Sequence, residues 1–420
     1  MNEAPLAARL SEALRPLLGP VEVGGLRRLS GGASRETWAF EAGGRDLILR
    51  RDPEGRPSPP GAAEREAAAI RAAGQAGLEV PEVLLADDGA ALGTAGMIMS
   101  AVPGETIARR ILRDDIYAAA RAALAGQIGR FLGRLHSIDP SGIPGLADAD
   151  PLEALHASYQ AVDDRSDTFD ATFEWLAARR PAPAGRVVVH GDMRLGNLIV
   201  GPAGLEAVID WELVHLGDPM EDLAWVCTKA WRFGSPLPVA GVGDYEELFS
   251  AYESASGSSV DREAFGWWLV FSTLRWGVIC MTQAAAHLSG ASRSVELAAI
   301  GRRVAEQEWD LVELVAPEEW AAVRAERRED AAPDDPGLYG RPTARELLQA
   351  VREFLAGDVA AATEGRLAFH ARVAANAVAV VERELALAAA QRARRHTGPR
   401  WHRLASAVRD RLEVANPKYL

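Results

Sequence analysis

Along the first hundred residues the apolar positions come in short runs, not in long stripes. Val21-Glu22-Val23, Trp38-Ala39-Phe40 and Leu47-Ile48-Leu49 are separated by polar residues and by glycine pairs at 31–32 and 43–44. Runs of this length between turn formers predict a β-meander. Residues 52–61, rich in Pro and Gly, read as a loop. Residues 62–76, alanine-rich and interspersed with charge, read as a helix ending near Gly77, and two more strands are expected at 82–86 and 96–100. Ahead of the meander, Glu3, Arg9, Glu12 and Arg15 among leucines and alanines read as an amphipathic helix and not as a signal peptide.

From residue 118 the period changes. Leu124, Ile128, Phe131, Leu132 and Leu135 fall on one helical face. The strand pattern returns at 186–210, and helices are predicted over 219–230, 243–256, 261–288 and 291–315. Residues 326–340 are charged, carry Pro and Gly and lack an apolar period, so they read as a linker. Thr343 and Glu346 then form a capping box for a helix with Leu347, Leu348, Val351, Phe354 and Leu355, followed by helices over 359–395 and 400–413. The division expected is residues 1–100, strand-rich; 101–325, mostly helical; and 341–420, an all-α segment without internal repeats.

Composition narrows the function. A net charge of -13 and a pI near 5.2 argue against a nucleic-acid partner, which needs clustered positive charge. Two cysteines, Cys227 and Cys280, without a Cys/His cluster read as buried thiols. No apolar run stands out as reaching the ~18 residues that span a bilayer, so no membrane contact and a cytoplasmic location are expected. Lysine occurs only at Lys229 and Lys418, so 44 of the 46 basic residues are arginine. Any chemistry in the first half of the chain that usually uses a lysine must here use something else.

The chemistry concentrates in Val187-Val188-Val189-His190-Gly191-Asp192-Met193-Arg194-Leu195-Gly196-Asn197-Leu198-Ile199-Val200. An apolar strand delivers a loop with Asp192, and Asn197 follows five residues later. After a turn at 201–204, the run Ala207-Val208-Ile209 ends in Asp210. If 198–200 and 207–209 pair about Ala203-Gly204, Asn197 stands opposite Asp210, close enough to share one cation. An amide oxygen and a carboxylate suit Mg²⁺ when phosphates supply the remaining ligands, and Asp192 is then free to orient a hydroxyl for in-line attack. The plainer alternative is a strand–turn–strand whose Asp and Asn only cap loops.

The pattern H-G-D-x-x-x-x-N followed by I-D-W resembles the aminoglycoside phosphotransferase and choline kinase superfamily. The likeness runs over residues 25–315 and is nearest to proteins related to the kinase domain fused to acyl-CoA dehydrogenases. It implies an α+β, bilobal protein-kinase-like fold, with a strand-rich N-lobe, a mostly helical C-lobe and the extra C-terminal helices. It implies an ATP-dependent kinase that uses ATP or another nucleoside triphosphate with Mg²⁺ and phosphorylates a hydroxyl of a small organic molecule. Asp192 matches the catalytic aspartate, and Asn197 and Asp210 match the two metal ligands. Ser30, Gly31, Gly32 and Ser34 match the phosphate loop, Arg50 and Glu66 the cation–carboxylate pair, and Ser100 and Val102 the adenine-binding hinge. His190, Asp218 and Asp222 are expected to be structural. Arginine at position 50, where such kinases usually carry lysine, keeps open a second reading: a nucleotide-binding pseudokinase that docks a protein. The acceptor class is open, with a hydroxyacyl thioester or hydroxy acid suggested by the resemblance. The 341–420 helices are candidates for contacts with a second copy or a protein partner.

Overall fold

Gly43 and Gly44, with φ of 60° and 72°, turn the chain back on itself between Ala42 and Arg45. Two successive positive φ values make the tight hairpin turn whose twist matches antiparallel strands. The computed structural model describes residues 3–29, 35–55, 57–326 and 340–420. Two units divide the chain: residues 1–148 with 181–269, and residues 149–180 with 270–420.

In the first unit, β1 (Val23–Arg28), β2 (Glu36–Ala42), β3 (Arg45–Arg51), β4 (Val83–Asp88) and β5 (Ala95–Ser100) form an antiparallel sheet of order β1-β2-β3-β5-β4. The expected amphipathic helix is Glu3–Leu18, and its Leu6, Leu10 and Leu14 bury against Trp38, Phe40, Leu47, Leu49 and Ile98. Strand alternation then decides where Arg50 goes. Leu47 and Leu49 point into this core, so Arg50 points to the other face of the sheet. There the helix Ala62–Gln75 supplies Glu66.

The rest of this unit is built on helix Ala118–Leu135, which packs along helix Tyr245–Ser256. Gly129 and Gly133 make that closeness available: a Cβ at Gly129 would come 2.3 Å from the Leu248 carbonyl, and one at Gly133 would come 2.8 Å from the Tyr252 carbonyl. The stretch from Val187 to Val208 forms β6 (Val187–Val189), β7 (Leu198–Gly201) and β8 (Gly204–Val208). β9 (His215–Gly217), which the sequence pattern did not predict, pairs with β6.

The second unit is helical. It includes two helices that the sequence reading did not place, Pro151–Gln160 and Asp167–Ala178. One of its cores gathers Trp309, Val312 and Val323 with Val408 and Leu412 of helix Arg400–Ala415. The Thr343–Glu346 capping box forms as expected at helix Ala344–Phe354. That helix buries none of its residues, and Leu347, Val351 and Phe354 are exposed. Of the expected linker, residues 327–339 lie outside the described residues. Both cysteines are buried and free.

Helix Arg262–Leu288 departs from the expectation about apolar runs. By length and composition it could cross a membrane, with a mean hydropathy of 1.3 over its most apolar window. However, 83% of that window is buried in the protein itself, which accounts for the apolar content.

Candidate active site

Asp222 organises the loop that carries the H-G-D sequence. It lies one turn into helix Pro219–Cys227, whose N-cap is Asp218 with Pro219 at the first position, as the sequence predicts. Completely buried, its Oδ2 accepts the His190 N–H at 2.7 Å and its Oδ1 accepts the Gly191 N–H at 2.9 Å. His136 Nε2 stands 3.3 Å from Oδ2, and its Nδ1 is 3.1 Å from the Tyr252 hydroxyl. Burial pushes the Asp222 carboxyl up, but His136 and the Gly191 N–H outweigh it and hold it below the ordinary aspartate value. Gly191 takes φ 80°, and a Cβ there would meet the Leu213 carbonyl at 2.8 Å. Glycine is therefore required at this turn.

His190 has the supporting role expected of it. Its Nδ1 accepts the Asp192 N–H at 3.1 Å, which leaves Nε2 to donate to the Ile209 carbonyl at 3.2 Å. The ring stands edge-on to buried Trp211, with centroids 4.8 Å apart. This one imidazole thus ties the loop of Asp192 to the strand that leads into Asp210.

The Asp192 carboxylate receives three donors. Asn197 Nδ2 reaches Oδ2 at 2.6 Å, Trp225 Nε1 reaches Oδ1 at 3.0 Å, and Arg194 Nε lies 3.1 and 3.2 Å from the two oxygens. The first links two residues the sequence singled out; Trp225 and Arg194 were not foreseen. The signal for Arg194 was present in the motif, two positions after Asp192. Trp225 faces Asp192 only because the helix after Asp218 folds back, which no local pattern reveals.

The register of the β7–β8 hairpin differs from the expected one. Leu198 pairs with Val208 and Ile199 with Ala207, then an irregularity shifts the pairing to Val200 with Leu205 and Gly201 with Gly204. The turn is thus Pro202-Ala203, and Asn197 stands opposite Ile209, whose N–H donates to the Asn197 carbonyl at 2.9 Å. Asp210 follows one residue further and adopts a left-handed conformation, φ 68° and ψ 62°. Only three described non-glycine residues have positive φ. Such strain is held in place by surrounding structure and concentrates where side chains have to be aimed.

The second group is built on Arg50. Its Nη1 donates to Glu66 Oε1 at 3.0 Å, its Nη2 to Asp210 Oδ1 at 2.7 Å, and Glu212 lies 3.8 Å from Nη2. Glu66, 1% exposed, also accepts from Arg35, whose Nε is 3.4 Å from Asp52. Arg35 and Asp52 are further residues the sequence did not mark. Burial pushes the Asp210 carboxyl up, but Arg50 and, more weakly, Arg194 prevail and hold it below the ordinary range.

The remaining predicted residues divide. Ser100 closes the sheet edge: its N–H donates to the Glu82 carbonyl and its Oγ accepts the Glu82 N–H, both at 2.9 Å. Val102 makes no backbone hydrogen bond among the described residues and lies just before Glu105, which is bridged to Val200 of β7. Ser30, Gly31, Gly32 and Ser34 lie outside the described residues.

Donor chemistry suits a hard divalent cation. With Nδ2 of Asn197 committed to Asp192, its Oδ1 is left as an acceptor, and Asp210 keeps Oδ2 beside the oxygen that holds Arg50. Among the described residues no group of three His, Cys, Asp or Glu side chains could hold a metal alone. One amide and one carboxylate fit an ion that arrives with phosphate and water ligands.

Residues 25–268, more than half of the chain, match the phosphotransferase enzyme family. The chain belongs to that family. This phosphotransferase has a kinase-like fold and matches a domain of unknown function over residues 361–400. It is 30% identical over 330 residues to acyl-CoA dehydrogenase family member 10 of Mus musculus, a match covering 72% of this chain and 30% of that protein. It is also 30% identical over 319 residues to family member 11 of Gallus gallus, covering 68% of this chain and 40% of that protein. The phosphotransferase therefore spans well under half the length of these relatives. Among solved structures, a putative aminoglycoside phosphotransferase from Ralstonia eutropha superposes with a TM-score of 0.58 at 24% identity, over 72% of this chain and 97% of that one. The similarity supports the fold.

Proposed function

We propose that this phosphotransferase is an ATP-dependent kinase acting on a hydroxyl of a small organic molecule. The observation that carries the reading is the convergence of two groups within one unit: Asp192 with Asn197, and Arg50 with Glu66 and Asp210. Phosphoryl transfer needs little covalent chemistry from a protein and depends on positioning and charge. Asp192, fixed by three donors, orients the acceptor hydroxyl and receives its proton. Asn197 and Asp210 hold Mg²⁺, which when bound offsets charge on the phosphates. Arg50, aimed by Glu66, binds the triphosphate, and Val102 and Ser100 border the adenine.

An aminoglycoside phosphotransferase of similar fold, TM-score 0.51 at 18% identity, was solved with AMP-PNP and hygromycin B, which favours a nucleotide triphosphate here. The acyl-CoA dehydrogenase relatives favour a hydroxyacyl thioester or hydroxy acid as acceptor. Free buried thiols suit a reducing compartment such as the cytoplasm.

The pseudokinase reading draws on the ion pair between Arg50 and Asp210, which engages a metal ligand directly. ATP consumption measured across hydroxylated acids, thioesters, sugars and amino alcohols separates the two. The kinase reading expects one class to stimulate turnover in the wild type and Asp192→Asn to lose it by about 10³-fold or more. Tight nucleotide binding with no stimulated turnover across the panel would establish the docking module instead.

A further inference from the structure

The cations around the proposed site are not equally committed. Arg50 is stretched between Glu66 and Asp210, and Arg35 between Glu66 and Asp52. Arg194 differs. Its Nε alone meets Asp192, at 3.1 and 3.2 Å from the two carboxylate oxygens. Neither of its terminal nitrogens is engaged in a hydrogen bond among the described residues, although the side chain is only 30% exposed. Nη1 and Nη2 are thus left to solvent or to a bound group.

Two features hold the guanidinium where it is. It lies over the Trp231 ring, 5.3 Å from the centroid, which fixes its plane and shields one face. Gly196 leaves it room: a Cβ there would come 2.5 Å from Nη1.

We propose that Arg194 is a catalytic residue that donates from its terminal nitrogens to the phosphoryl group in transfer while its Nε holds Asp192. The assignment rests on the kinase reading above. In the step it serves, the acceptor O–H proton passes to Asp192 and the hydroxyl oxygen forms the new O–P bond. The bond from phosphorus to the nucleoside diphosphate breaks, and its electron pair leaves with the diphosphate. Arg194 keeps its proton and stabilises the charge spread over the non-bridging oxygens. Arginine suits this role because its fork can bind a carboxylate with one nitrogen and phosphate oxygens with the others.

The test uses the full chain and needs no knowledge of the acceptor. Affinity for Mg²⁺ with AMP-PNP reads the ground state; affinity for Mg²⁺, ADP and fluoroaluminate reads a mimic of phosphoryl transfer. Arg194→Gln is expected to weaken the fluoroaluminate complex by about 100-fold or more, with AMP-PNP affinity changed by less than about 3-fold. Arg194→Lys, which keeps the charge and guards against a folding artefact, is expected to recover part of the loss. If Arg194 served only to hold Asp192, Arg194→Gln would cost nothing further in an Asp192→Asn background, and that result overturns the proposal. Equal losses of both complexes would make Arg194 a nucleotide-binding residue instead and overturn it as well. Failure of the wild type to bind AMP-PNP with Mg²⁺ would sink the kinase reading itself, and this proposal with it. The other negative results leave that reading standing.

Discussion

Replacing Asp222 with asparagine tests whether the proposed catalytic loop is held from beneath by a buried charge. The substitution conserves volume, so its effect is confined to hydrogen bonding. In the wild type each carboxylate oxygen accepts a backbone N–H, from His190 at 2.7 Å and from Gly191 at 2.9 Å, and His136 leans on the same group. An amide has one acceptor and one donor end, so in either orientation an NH₂ faces a backbone N–H with no water to intervene. Losing one charge-assisted hydrogen bond and stranding a buried donor costs about 3–5 kcal/mol. That is a large share of the ~5–15 kcal/mol that holds a typical domain together. Urea unfolding followed by tryptophan fluorescence measures the loss, and native-state hydrogen exchange at the His190 and Gly191 amides localises it. The pH dependence gives a second check. Because the folded Asp222 carboxyl is held below its ordinary value, its contribution is fully present above the unfolded pKa of ~3.9 and is lost as pH falls through the lower folded value. The stability gap between wild type and Asp222→Asn should thus be constant from neutral pH down to about 5 and narrow below about 4. A gap under about 1 kcal/mol with unchanged amide protection would show that Asp222 does not hold the loop.

Three other substitutions probe separate parts of the framework. Gly191→Ala places a Cβ 2.8 Å from the Leu213 carbonyl at φ 80°, and should cost about 1–3 kcal/mol in chemical denaturation while lowering turnover by displacing Asp192. Gly129→Ala drives a methyl to 2.3 Å from the Leu248 carbonyl, so the midpoint of thermal unfolding should fall by an amount matching about 1–3 kcal/mol or more, without direct damage to nucleotide binding. Glu66→Gln strips Arg35 and Arg50 of a shared buried carboxylate and is expected to destabilise by about 3–5 kcal/mol in urea; a neutral result would mean that Asp52 and Asp210 suffice.

What the sequence could show follows from the range over which each feature is decided. The strand runs at 38–40 and 47–49, the Gly43-Gly44 turn, the Asp218 cap and the Thr343–Glu346 box are decided within a few residues, and each formed where the pattern predicted it, whereas the first strand, expected at 21–23, runs instead over Val23–Arg28. The hairpin register was decided by an irregularity between Ile199 and Val200, which residue types alone do not announce, and it moved Asn197 opposite Ile209. Asp192 and Asn197 are five positions apart and meet directly, so the motif held that contact. Arg50 and Asp210 are 160 positions apart, and their meeting depends on a whole sheet and hairpin being built first. Trp225, 33 positions from Asp192, and Arg35, 31 from Glu66, were missed for the same reason. Their side chains carry no local signature, and only tertiary structure makes them neighbours of the site.

Arginine at position 50 changes the charge balance that nucleotide binding must meet. A lysine offers one point charge, whereas the Arg50 fork spans two carboxylates at once, Nη1 on Glu66 and Nη2 on Asp210. Glu66 is shared between Arg50 and Arg35, and Arg35 in turn reaches Asp52. Counting Arg35, Arg50 and Arg194 against Asp52, Glu66, Asp192, Asp210 and Glu212 leaves two excess negative charges among these linked groups. A free triphosphate would be repelled by that excess, and one divalent cation cancels it. Nucleotide and Mg²⁺ should therefore bind cooperatively, each raising the affinity for the other by the same factor, of order 5–150-fold. Titrating ATP by calorimetry in Mg²⁺ and in chelator, and Mg²⁺ with and without ATP, reads both sides of this linkage. Asp210→Ala removes one of the excess charges together with a proposed ligand, so the coupling should shrink and metal-free affinity should rise. An Asp210→Ala variant that kept the full coupling would show that the cation is held elsewhere, and the pairing of Arg50 with Asp210 would then be a structural link between sheet and hairpin.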